Sequence, residues 1–223
     1  MNRRSDRQEG FAMLGVVLKP TAALLGMLLF AATSAHAQGL GPDEQVRQTV
    51  DEALKILRTD KDVQTGDTRR IAELMEEKIV PHFDLIRMTR LAVGRPWREA
   101  TRDQRQALIN EFRTLLVRSY AAAFTFYKGI SVEVKPVRMG QDDREATVST
   151  VIRLPGGGEP ISVDYDMLQT DAGWKVYDVR IGGASLVINY RNVFAQEIQK
   201  GGIEGLLKNL AERNRGSSPA VDS

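Results

Sequence analysis

Apolar residues recur at helical spacing through the first half of the chain and at every second position through much of the second half. In VRQTVDEALKIL, residues Val46, Val50, Ala53, Leu54 and Leu57 fall on one face of a helix. TRRIAELMEEKIV continues the helical pattern as far as Pro81, which ends one helix or opens the next. Thr101 with Gln104 has the spacing of a capping box. The long helix that follows places Leu108, Phe112, Leu115, Leu116 and Ala123 on one side, with Gly129 as its expected stop.

From there the period falls to two. GISVEVKP alternates Ile130, Val132 and Val134, and EATVSTVIRL alternates Val148, Thr150 and Ile152. PISVDYDML puts Ile161, Val163, Tyr165 and Met167 on one face and Asp164 and Asp166 on the other, and WKVYDVRI completes the set. The links GQDD, PGGGEP and TDAG are short and turn-rich, as hairpins require. The pattern predicts an α+β chain: helices in the first half, then an antiparallel four-stranded meander.

Past the sheet, Gly182-Gly183 stops the strand and Ser185 is a good N-cap. Leu186, Tyr190, Val193, Phe194 and Ile198 are expected to share the packing face of the next helix. Val187 and Ile188 lie off that face and are apolar as well, so this helix offers a second apolar side. Gly201-Gly202 breaks it, and IEGLLKNLAERN forms a last amphipathic stretch.

The N-terminus changes what the chain can be. TAALLGMLLFAAT is uncharged, follows Lys19, and leads to an Ala35-x-Ala37 cleavage pattern, the features of a secretory signal peptide. Residues 1–37 are read as the cleaved leader, with Met13 a second candidate start, 38–213 as one domain and 214–223 as a disordered tail. The protein is then exported and unanchored. The chain has no cysteine, which excludes disulfides, thiolate metal sites, a cysteine nucleophile and a lipidated cysteine. Its net charge of +2 resides in the leader; the mature part holds 27 basic and 27 acidic residues, which argues against a nucleic-acid partner.

Candidate catalytic groups are weak. His82 is the mature chain's single histidine and has no partner at metal-ligand spacing. Asp164 with Asp166, and Asp178 with Arg180, share strand faces and read as the wet side of a sheet. LPGGGEP lacks the pattern of a phosphate-cradling loop, and Ser185 lacks the context of a nucleophile elbow. What stands out is an apolar surplus in HFDLIRMTRLAVGRPW, AAAFTFY and ASLVI. Periodicity alone leaves a plain core or an enclosed apolar cavity open.

The ordered pieces PHFDLIRMTRLAVGRPWREAT, LLVRSYAAAFTFYKG, GWKVYDVRIGGASLVINYRNVF and GGIEGLLKNL closely resemble the MlaC, or toluene-tolerance, family. The resemblance runs from about residue 44 to 213. It implies a twisted antiparallel four-stranded sheet wrapped by several helices, with an NTF2-like relation, a cavity between sheet and helices holding phospholipid as cargo without any cofactor, and no catalytic activity. It also implies a periplasmic monomer that carries lipid between an outer-membrane lipoprotein–porin complex and an inner-membrane ABC transporter with its MCE-domain protein, maintaining outer-membrane asymmetry.

On that basis the helical segments are expected to line the pocket through Phe83, Met88, Leu91, Val93, Phe124 and Tyr127. The strands contribute Val132, Val134, Val148, Tyr165, Met167, Val179 and Ile181, and the junction after them Ala184, Val187 and Ile188. Arg87, Arg90 and Arg191 are expected at the mouth, serving any phosphate. Two alternatives stand beside this: a periplasmic NTF2-like enzyme using Asp164, Asp178 or Tyr165 as acid–base groups, and a binder of another apolar ligand such as a quinone.

Overall fold

A computed structural model describes residues 40–124, 129–140 and 143–216, the side chains of 122–124 excepted. The expected leader, the side chain of Phe124 and the whole of Tyr127 lie outside the described residues.

Helix α1 (Pro42–Thr59) is followed by the short α2 (Lys61–Thr65) and α3 (Thr68–Leu74). Asp60 and Asp67 cap the latter two by accepting backbone N–H bonds at 2.9–3.2 Å. The sequence predicts one helix up to Pro81. Instead α3 gives way to a π-helical turn, Met75–Ile79, and a 3₁₀ turn, Val80–His82. Widening the coil ahead of the proline lets Met75, Ile79 and Val80 face inward in quick succession.

Helix α4 (Leu85–Val93) follows, capped by Asp84, then a 3₁₀ turn, Arg95–Arg98, and the long α5 (Arg102–Phe124). The expected capping box forms: Thr101 N–H donates to Gln104 Oε1 at 2.9 Å, and Gln104 N–H to Thr101 Oγ1 at 3.2 Å.

The sheet is an open antiparallel meander of β1 (Ser131–Val134), β2 (Glu145–Arg153), β3 (Ile161–Thr170), β4 (Gly173–Ile181) and β5 (Ala184–Ser185). The fifth strand is an addition to the expected four. Gly182 (φ 56°) and Gly183 (φ 85°) are both left-handed, the geometry that lets a two-residue turn return the chain on itself. Ala184 and Ser185 thereby pair with Ile181 and Arg180. Register sets Val134 with Thr150, Val148 with Tyr165, and Tyr165 with Val179, so these side chains share the face toward the helices. A bulge at Tyr177 shifts the pairing so that Met167 meets Val176, which keeps the early part of β4 apolar-inward. Lower down, Phe83 bridges to Val176 and Asp84 N–H donates to the Val176 carbonyl at 2.8 Å, covering the free edge of β4.

Helix α6 (Leu186–Arg215) starts at Ser185, whose Oγ accepts from Ile188 N–H at 3.0 Å. Gly201 and Gly202 are non-helical and kink it. Its first arm corrects two expectations. Val187 is 3% exposed and belongs to the core, whereas Val193 is 39% exposed. At 100° per residue Val187 and Phe194 point within about 20° of each other, so they, not Leu186 and Val193, centre the packing face. Phe194, Phe112 and Tyr190 then interlock with ring centroids 4.9–5.7 Å apart.

The helix also takes in Asn214 and Arg215, which composition alone places in the tail. Asn214 is buried because its amide donates to the Glu111 carbonyl and carboxylate at 2.9 and 2.6 Å, and Arg118 reaches its carbonyl.

Candidate functional site: an apolar cavity between sheet and helices

The helices do not settle fully onto the sheet. A cavity of about 350 Å³ remains between them, within the range of small-molecule sites. One wall is the apolar face of α1 from Val46 to Leu57; a second is the irregular segment Met75–Phe83 with Leu85 and Met88 of α4. Leu116, Val117 and Tyr120 of α5 close a third side, and the inward residues of β1 to β4, with Leu186, form the floor.

Gln45, Thr49 and Arg113, polar side chains on this wall, are engaged within the protein. Gln45 Nε2 donates to the Trp174 carbonyl at 2.7 Å, and Thr49 Oγ1 to the Gln45 carbonyl at 2.9 Å. Arg113 at the rim is paired with Glu76, its Nε 2.7 Å from the carboxylate. Burial holds the Tyr165 phenol above its ordinary pKa, against a bond with Thr150. His82 is held below its ordinary value chiefly by burial and then by the Lys175 charge, with Glu52 opposing. Among the described residues the one buried side-chain polar atom without a partner is Asn214 Oδ1, which is not on this wall. The cavity thus offers surface for burying apolar groups and few bonds for selecting a polar one.

Of the residues expected at a pocket, Phe83, Met88, Val132, Tyr165, Met167, Val179 and Ile181 stand on its wall. Of the others, Phe124 and Tyr127 fall outside the described side chains, and the rest stand elsewhere. Leu91 packs half-buried against the core, and Val93, Val134, Val148 and Val187 are buried within it, because α4 closes directly on α5 and α6 while β1 and β2 lie against α1. Ala184 and Ile188 are exposed, since the tight turn at Gly182-Gly183 carries Ala184 into an edge strand beyond the cavity. The junction's contribution is Leu186, expected instead on the packing face.

None of the three expected mouth arginines lines the cavity. Arg87 lies over the Tyr177 ring at 4.0 Å and donates to Glu145 at 2.9 Å. Arg90 is exposed, and Arg191 rests against Gly94. Sequence reasoning missed the α1 face and Met75, Ile79 and Val80. The α1 stripe was legible, but an apolar stripe reads the same whether it meets protein or a void.

The carboxylates weighed for acid–base chemistry stand on the opposite face of the sheet. Thr147 donates to Asp166 at 2.7 Å, and Arg180 pairs with both Asp166 and Asp164. Asp178 holds local structure together. It accepts from Ser185 Oγ at 2.5 Å and from Val187 N–H at 3.0 Å, pinning the hairpin to the start of α6. No group of three His, Cys, Asp or Glu residues among the described ones could hold a metal ion. Nor is any helix among them long and apolar enough to cross a membrane.

Comparison with known proteins agrees with this geometry. The family model described as MlaC protein matches residues 47–212. A solved phospholipid-binding protein from Ralstonia solanacearum, determined in complex with a phospholipid, superposes with a TM-score of 0.74 at 37% identity. The alignment covers 79% of this chain and 98% of that one. The intermembrane phospholipid transport system binding protein MlaC of Haemophilus influenzae is 21% identical over 91% of both chains. The toluene tolerance protein ttg2D of Pseudomonas putida is 23% identical over 85% of this chain and 86% of its own. By the family match and the identity to the solved relative, this chain belongs to the MlaC family.

Proposed function

We propose that this protein is a phospholipid carrier of the periplasm. It takes diacyl lipid into the cavity between sheet and helices and passes it between an outer-membrane lipoprotein–porin complex and an inner-membrane ABC transporter with its MCE-domain protein, so maintaining outer-membrane lipid asymmetry. The observation that carries the reading is the cavity itself, which is apolar-walled and has few polar side chains, with Gln45, Thr49 and Arg113 bonded within the protein. The kinship to proteins named for phospholipid binding and transport supports it.

The energetics suit a carrier. At about 0.8 kcal/mol per buried methylene, two acyl chains with roughly 30 methylenes represent on the order of 20 kcal/mol against water. Release into the aqueous phase is therefore negligible. A bilayer offers comparable burial, so exchange with it is near balance, and direction comes from the partner complexes. Such a step breaks no covalent bond and requires no catalytic residue or cofactor.

Native mass spectrometry of gently purified protein, with lipid extraction, tests the reading. Diacyl phospholipid is expected at up to one per chain, with headgroups mirroring the host. Protein without extractable lipid overturns it, and recovery of a quinone instead favours another apolar ligand.

A further inference from the structure

We propose that the outer side of α4, the 3₁₀ turn after it and the first turns of α6 form a docking face for an anionic lipid surface. Ile86 is 60% exposed and stands four residues before Arg90, on the same side of α4. Ile188 is 49% exposed and stands three residues before Arg191 on α6. The two sides are joined at Gly94, where the Arg191 guanidinium lies 3.4–3.7 Å from the position a Cβ would take. Arg95 and Arg98 extend the face along the turn, where Glu99 is the acidic neighbour.

The charge of this face is uncommitted. Among the described residues the side chains of Arg90, Arg95, Arg98 and Arg191 have no carboxylate partner, whereas Arg87 on the same helix as Arg90 is paired with Glu145. Exposed isoleucines, each one turn from an unpaired arginine, match an interfacial membrane surface, where the apolar groups enter the headgroup boundary and the guanidinium groups meet phosphate.

The position agrees with that chemistry. Ile181 is both on the cavity wall and 41% exposed, and it pairs with Ala184 in the hairpin that leads directly into α6. This part of the argument rests on the carrier reading: an acyl chain leaving past Ile181 would then meet lipid with little exposure to water.

Co-sedimentation with vesicles tests the proposal. The full mature chain is expected to bind vesicles of phosphatidylglycerol and phosphatidylethanolamine well above vesicles of phosphatidylcholine, with binding that falls as salt rises. The double variant Arg90→Gln, Arg191→Gln is expected to bind the anionic vesicles about 25-fold more weakly, at about fivefold per arginine. Its melting temperature and copurified lipid should be unchanged, which separates failure of docking from failure of the carrier reading. Equal binding to both vesicle types, or a folded variant that binds like the parent, overturns the proposal. So does a parent protein that binds no vesicles, which would leave an acidic protein surface as the partner.

Discussion

His82 shows how a single side chain couples to its surroundings. Burial and Lys175 depress its pKa, so the folded protein binds its proton less readily than the unfolded chain does. The stability this group permits is fully present above its ordinary value, near 6.5. It is lost as pH falls from there through the lower folded value. Melting temperature is expected to drop across that window and to drop less in His82→Asn; identical pH profiles for the two proteins would refute the assignment. Val187 and Ala184 make a second contrast at this scale. Val187→Glu puts an unpaired carboxylate into the core and is expected to cost several kcal/mol, enough to unfold much of the protein. Ala184→Glu lies on an exposed edge and should shift stability by no more than about 0.5 kcal/mol, read by denaturant titration.

At the scale of elements, α6 depends on its two breaks. Asp178 ties the β4–β5 hairpin to the first turn, so Asp178→Ala removes acceptors from Ser185 and Val187 together. Leaving those donors unpaired is expected to cost about 1–3 kcal/mol, with hydrogen exchange rising first in residues 184–190. At the kink, Gly202 has φ 64° and ψ −164°, a conformation open essentially only to glycine. Gly202→Ala should cost about 1–3 kcal/mol, while Gly201→Ala, at negative φ with open space around its Cβ position, should cost less. If the two variants melted together, the kink would not constrain the helix.

For the whole molecule the cavity sets function against stability. Ala53 lines it from α1, so Ala53→Trp would fill space otherwise open to acyl chains. The variant is expected to fold with a stability equal to or above that of lipid-free parent protein and to copurify with little lipid. Normal lipid content would place the cargo elsewhere. Because lipid that binds only the folded state stabilises it by mass action, removing cargo should lower the parent's melting temperature and leave that of Ala53→Trp unchanged.

Much of this architecture is written in local pattern. Alternation from Ile130 to Ile181 is enough to define four strands and their two faces, since a one-residue slip would turn every apolar side chain outward. The capping box at Thr101, the cap at Ser185 and the breaks at Gly182-Gly183 and Gly201-Gly202 are likewise properties of neighbouring residues, and each forms where the spacing puts it. The cavity is of another kind. Val50 and Leu57 on α1 would look the same packed against a sheet or facing a void, because periodicity records which side is apolar and not how far away the opposite wall stands. That distance depends on the π-helical turn at Met75–Ile79, on Phe83 bridging to β4, and on the phase of α6, which turned Val187 into the core and left Leu186 on the wall. Each takes effect through contacts with elements far away in the chain, and so the volume left between them appears only when the elements have closed on one another.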